Sequence, residues 1–95
     1  MYYVYLIKSI EKNYLYIGST EDLKRRFDEH NSGTQKATKM YAPFRLIYYE
    51  SYASKTDALI REKALKHHGS VVGHLKKRVT NSLKMVPKGR GGRRG

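Results

Sequence analysis

At 95 residues the chain has room for one domain with a small core, and it carries no cysteine, which excludes disulfide frameworks, thiolate zinc sites and cysteine nucleophiles together. Its apolar runs are short and broken by Lys or Tyr, far below the roughly 20 residues of a membrane span, and its amino terminus lacks a signal-peptide pattern, so a cytoplasmic protein with no membrane partner is expected. Twenty Lys and Arg against eight Asp and Glu give +12, of which residues 61–95 carry +10 and residues 1–60 only +2; such asymmetry points to a polyanion partner, nucleic acid above all.

Residues 1–8 are rich in aromatic and β-branched types and predict a strand. After a polar turn at residues 9–13, Tyr14-Leu15-Tyr16-Ile17-Gly18 alternates strictly and predicts the return strand of a hairpin. Alternation places Tyr3, Tyr5, Tyr14 and Tyr16 on one face and Val4, Leu6, Leu15 and Ile17 on the other. An outer sheet face normally carries Lys, Thr or Glu, so the tyrosines mark either a functional face or strand-favoured residues covering the sheet.

The first helix is expected to start at a Ser19-Thr20 cap, with Glu21 and Asp22 in its first turn, and to stop near Asn31-Ser32-Gly33. Its apolar residues Leu23 and Phe27 share an arc with Arg26 and His30, while Lys24 and Arg25 point away. Residues 34–43 form a basic loop bearing Lys36 and Lys39, and residues 44–52 read as the third strand. A second helix opens at Ser54, with Asp57 three residues on, and Ala58, Leu59 and Leu65 set its buried arc. Glu62, the single acid of the last 35 residues, projects into that arc, where a carboxylate needs a positive partner: Lys66 one turn on, Arg26, or a metal ion. Ser70 can cap a third helix over residues 71–84, whose outer side carries Lys76, Lys77 and Arg78. Residues 85–95 read as a disordered basic tail of Arg and Gly, with Arg90, Arg93 and Arg94, so that residues 1–84 make the single domain.

Tyrosines on a strand face, an Arg and His on one helix and an inward Glu on another make a set that phosphodiester hydrolysis uses: a base for water, a cation for developing phosphate charge and a carboxylate for a divalent ion. On these residues the chain resembles the GIY-YIG nuclease domain, and within it the small bacterial stand-alone members. Tyr3-Val4-Tyr5 stands in the first motif position and Tyr16-Ile17-Gly18 in the second, followed by Arg26, His30 and Glu62 in order and at the family's spacing. Tyr3 replaces the first motif glycine, and the asparagine that many members carry after the glutamate has no counterpart at His74-Leu75-Lys76-Lys77. The resemblance covers roughly residues 2–68.

The resemblance implies an α+β fold, a small three-stranded antiparallel sheet flanked by helices in the order β-β-α-β-α-α, in agreement with the pattern above. It further implies endonuclease activity on DNA with one Mg²⁺ or Mn²⁺, in DNA repair or recombination. Glu62 would anchor the metal, Tyr5 activate water, Tyr16 orient or share that role, Arg26 bind the scissile phosphate and His30 transfer a proton or contact phosphate. Lys24, Arg25, Lys36, Lys39, Lys76, Lys77, Arg78, Arg90, Arg93 and Arg94 are the expected nucleic-acid contacts. A monomer is expected. Two other readings are a non-catalytic nucleic-acid binder on the same scaffold, and a module docking on a larger repair complex.

Overall fold

The computed structural model describes residues 1–86. Strand β1 (Tyr2–Ser9) lies at the centre of a three-stranded sheet, paired antiparallel with β2 (Leu15–Thr20) on one side and β3 (Phe44–Tyr52) on the other. Helix α1 (Leu23–Ser32) connects β2 to β3 by way of a 3-10 turn at Lys39–Tyr41. Helices α2 (Lys55–His67), α3 (Gly69–Arg78) and α4 (Thr80–Lys84) follow the sheet. The fold is therefore α+β in the expected order, with one more helix at the end. None of the described helices is long and apolar enough to cross a membrane.

A central strand covered on both faces has no outside, and β1 is buried without a break from Val4 to Ser9. Its even-numbered face, Val4 and Leu6, packs with Ala58 and Leu65 of α2, Leu75 of α3 and Val79. Its odd-numbered face, Tyr5 and Ile7, packs with Phe44, and Tyr14, Tyr16, Leu23, Phe27 and Tyr41 close around it. The tyrosine face is thus a second, aromatic core beneath α1, which explains why it carries no Lys, Thr or Glu. A bulge between Leu6 and Ile7 lets β3 place Tyr48 opposite the former and Leu46 opposite the latter. On β3, Glu50 receives both Nε and a terminal nitrogen of Arg61 at 2.9 Å, together with the hydroxyls of Tyr48 and Tyr52, and so ties α2 to the sheet. Burial alone would raise the Glu50 carboxyl, but the hydrogen bonds from Arg61, Tyr52 and Tyr48 outweigh it and hold the group below its ordinary value.

Several local expectations are corrected. Ser19 and Thr20 do not cap α1: they remain in β2, paired with Val4 and Tyr3, and Asp22 caps the helix by accepting from the Arg25 N–H. The stop is as read, with Gly33 in the left-handed region (φ 77°) and its N–H bonded back to the last turn. Ser54 caps α2 through the Asp57 N–H, but Leu59 is about half exposed (47%) and lies outside the buried arc. The third helix is two, because Val79, buried with Leu75, leaves helical geometry (φ −115°, ψ 26°), and the Ser70 side chain makes no cap. Val86, the last described residue, is buried. The basic tail, from residue 87 with Arg90, Arg93 and Arg94, lies outside the described residues.

Candidate active site

Three side chains form a buried relay beneath α1. The Tyr5 hydroxyl lies 2.8 Å from His30 Nε2, and His30 Nδ1 lies 2.7 Å from Thr38 Oγ1; none of the three residues is more than 2% exposed. Burial, with Tyr16 alongside, pushes the Tyr5 phenol well above its ordinary pKa, against the pull of Arg26. Burial and then Arg26 push the His30 imidazole down, so it is neutral. A neutral imidazole has one N–H, so one ring nitrogen donates and the other accepts; with Nε2 accepting from the Tyr5 O–H, Nδ1–H donates to Thr38.

Gly18 makes room for the first member. It stands opposite Tyr5 in the β1–β2 ladder, and a Cβ there would fall 2.7 Å from Tyr5 Cζ and 3.1 Å from Tyr16 Cε2. The Tyr5 ring therefore lies across a strand position that only glycine leaves open. Tyr16 borders the same space, with its ring 5.1 Å from that of His30.

Arg26 reaches this centre from α1, close enough that its charge lowers both Tyr5 and His30. Its Nε is buried and aligned on no acceptor, although Glu29 Oε1 lies 3.1 Å away. The side chain borders a cleft of about 510 Å³ between the end of β2, the start of α1 and the start of α2, with Ser19, Thr20, Arg25 and Lys55 also on its walls.

Glu62 reaches the site from the opposite sheet face. Helix α2 covers the even-numbered face, and the carboxylate ends at the edge strand, where Ser19 Oγ donates to its Oε1 at 2.5 Å and Lys66 Nζ lies 2.9 Å from its Oε2. The site consequently wraps around the outer edge of β2: Glu62 and Ser19 on one side, Tyr5, Tyr16 and His30 on the other, with the side-chain-free Gly18 between. The two sides communicate, since the Glu62 charge contributes to raising the Tyr5 phenol.

Among the described residues, no group of three or more His, Asp or Glu could hold a metal. A cation at Glu62 would have one protein carboxylate and water for its remaining ligands, an all-oxygen set that suits a hard, well-hydrated ion such as Mg²⁺. The carboxylate already holds an ammonium against it, so its environment accepts positive charge.

Among the described residues, the expected nucleic-acid contacts lie on both sides of the sheet. Lys24 and Arg25 lie on α1 over one sheet face, and Lys76, Lys77 and Arg78 end α3 over the other. Lys24 is paired with Asp28, and Lys36 and Lys39 are exposed in the loop. Thr38, Ser19 and Lys55 escape the sequence reading: Thr38 lies in an irregular loop without periodicity, Ser19 resembles a helix cap, and Lys55 is one exposed lysine among many. A buried histidine needs a partner for each ring nitrogen, which is the one signal that would have called for a residue like Thr38.

Comparison with known proteins agrees with this architecture. Residues 1–71 match the model of the GIY-YIG catalytic domain. The chain is 42% identical over 65 residues to a UPF0213 protein of Streptococcus pneumoniae (67% of this chain, 65% of the relative) and 47% identical over 64 residues to a UPF0213 protein of Pseudomonas aeruginosa (66% and 61%). These matches span less than two thirds of either relative's own length. A UPF0213 protein of Staphylococcus saprophyticus is 36% identical over 66 residues, 68% of this chain and 79% of the relative. The solution NMR structure of a UPF0213 protein from Bacillus halodurans is similar at a TM-score of 0.54 and 26% identity, over 93% of this chain and 99% of that one. The chain belongs to the GIY-YIG catalytic domain family, of nuclease-type hydrolases, alongside the small bacterial UPF0213 proteins.

Proposed function

We propose that this protein is a metal-dependent endonuclease that hydrolyses DNA phosphodiester bonds, in repair or recombination. The observation that carries it is the buried Tyr5–His30–Thr38 relay, set within electrostatic reach of both Arg26 and Glu62. A phenol with a raised pKa is a poor base by itself. Tyr5 can nevertheless take a proton from water if its own proton passes to His30 Nε2, 2.8 Å away, and neutral His30 is ready to receive it. Thr38 holds Nδ1, and thereby keeps the ring oriented with Nε2 toward Tyr5. Arg26, on the cleft wall, would grip phosphate oxygens, with Arg25 and Lys55 holding the flanking backbone. Glu62 would hold a divalent ion, Mg²⁺ or Mn²⁺, which supplies Lewis-acid charge stabilisation when bound. Tyr16 restrains the Tyr5 ring.

The +10 charge of residues 61–95 favours a second reading, a nucleic-acid binder that does not cut. Incubation with plain, nicked, flapped and branched DNA, with and without Mg²⁺ or Mn²⁺, separates the two. Cleavage of at least one substrate that requires the metal supports the hydrolase; tight binding with every substrate intact supports the binder.

A further inference from the structure

Both oxygens of the Glu62 carboxylate are engaged, by partners of very different kinds. Ser19 belongs to a strand whose backbone is paired with Val4, so its hydroxyl on Oε1 is held in place. Lys66 reaches Oε2 from the end of a four-carbon arm, and its side chain is more exposed than that of Glu62 (36% against 19%). The same ammonium lies 5.2 Å from the centre of the Tyr16 ring, on the face of an aromatic that borders the relay.

We infer that Lys66 is the resident counter-ion of the Glu62 carboxylate and that a divalent ion binds there by exchange with it. This rests on the proposal that Glu62 is a metal ligand. A divalent ion and an ammonium cannot share one carboxylate oxygen, because two positive charges within a few ångströms repel strongly where water is partly excluded. Ser19 occupies the other oxygen from a fixed strand, so Lys66 is the partner that yields. It has somewhere to go. A cleft of about 290 Å³ between β2 and α3, walled by Leu15, Tyr16, Val72 and Lys76, begins at Lys66 itself. The arm, already about a third exposed, can turn out along the mouth of that cleft toward water and keep its charge near the Tyr16 ring. Metal-free protein thus has a neutralised carboxylate, and metal uptake releases the lysine from it.

The competing view is that Lys66 and Glu62 form an ordinary pair one helical turn apart, worth little, beside which a metal binds without disturbing the ammonium. Lysine acetylation read by mass spectrometry on the full chain, with and without Mg²⁺, distinguishes them. Exchange predicts that Mg²⁺ increases labelling of Lys66 severalfold while Lys55 and Lys63 stay constant. In Glu62→Gln, labelling of Lys66 should be high from the start and unmoved by Mg²⁺. Mn²⁺ binding, followed by the paramagnetic resonance of the free ion, should tighten about two- to fivefold in Lys66→Met, the strength of a surface ion pair. Lys66 labelling that does not respond while Mn²⁺ binds in a Glu62-dependent way overturns the exchange and leaves the hydrolase proposal standing. Equal Mn²⁺ binding by wild type and Glu62→Gln, or none by either, overturns both.

Discussion

Replacing Gly18 with alanine should dismantle the relay from a position that touches no substrate. The new methyl would lie 2.7 Å from Tyr5 Cζ and 3.1 Å from Tyr16 Cε2. Carbon atoms rest at about 3.5–4.0 Å, so the Tyr5 ring must retreat by roughly 1 Å. That displacement stretches its 2.8 Å bond to His30 past the roughly 3.2 Å at which hydrogen bonds fade. Overpacking costs about 1–3 kcal/mol and an orphaned buried acceptor about 1–3 kcal/mol; with one cause behind both, a total of about 2–4 kcal/mol is expected. For a domain of this size that lowers Tm on the order of 10–20 °C. Thermal unfolding measures the loss, and imidazole nitrogen NMR reports whether His30 Nε2 has lost its donor. In a Tyr5→Leu background, where no ring reaches over the glycine, the same substitution should be nearly neutral. A loss under about 0.5 kcal/mol in the wild-type background, or an equal loss in both, would refute the close approach.

Further outcomes follow from the same geometry. His30 is held neutral, with its pKa lowered by burial and Arg26, so the unfolded chain binds a proton below about pH 6.5 that the fold refuses. Stability from this group is complete above about pH 6.5 and lost as pH falls through its lowered pKa; thermal melts across that range should slope less in His30→Gln, and an unchanged slope would assign the effect to other groups. Arg26→Lys should lose most turnover despite keeping the charge, because an ammonium cannot fork across two phosphate oxygens; near-wild-type kcat would mean that Arg26 merely covers apolar surface. Deleting residues 87–95, which hold Lys88, Arg90, Arg93 and Arg94 and, Pro87 apart, no apolar side chain, should leave Tm unchanged. It should flatten the salt dependence of DNA affinity by up to about 3–4 in slope, and an unchanged slope would move the contact to the folded part.

Periodicity made much of this molecule readable. The two faces of the hairpin, the shared arc of Arg26 and His30 with Leu23 and Phe27, the Gly33 stop and the Ser54 cap all follow from local rules, and each stands in the structure. What stayed hidden depended on tertiary company. A strand can outrun a good helix cap when its ladder has partners, and Val4 and Tyr3 draw Ser19 and Thr20 into β2. Helix α3 ends at Val79, where the backbone leaves helical geometry inside an unbroken apolar stripe that gives no sign of it. The tyrosine face reads as solvent-facing until α1 is known to cover it, and Thr38 acquires meaning only opposite a buried imidazole. The inward position of Glu62 was legible from its arc; its placement at the sheet edge, against Ser19, required knowing that β2 is the edge strand.

The central claim is that Glu62 holds the ion on which DNA cleavage depends. The direct measurement is turnover of wild type and Glu62→Gln at saturating Mg²⁺, on a substrate that wild type cleaves, with DNA affinity determined alongside. Glutamine keeps the shape and can still accept from Ser19, but it lacks the charge that would hold a divalent ion. Cleavage should fall by at least about a hundredfold with affinity nearly unchanged. Cleavage retained by the variant would contradict that claim.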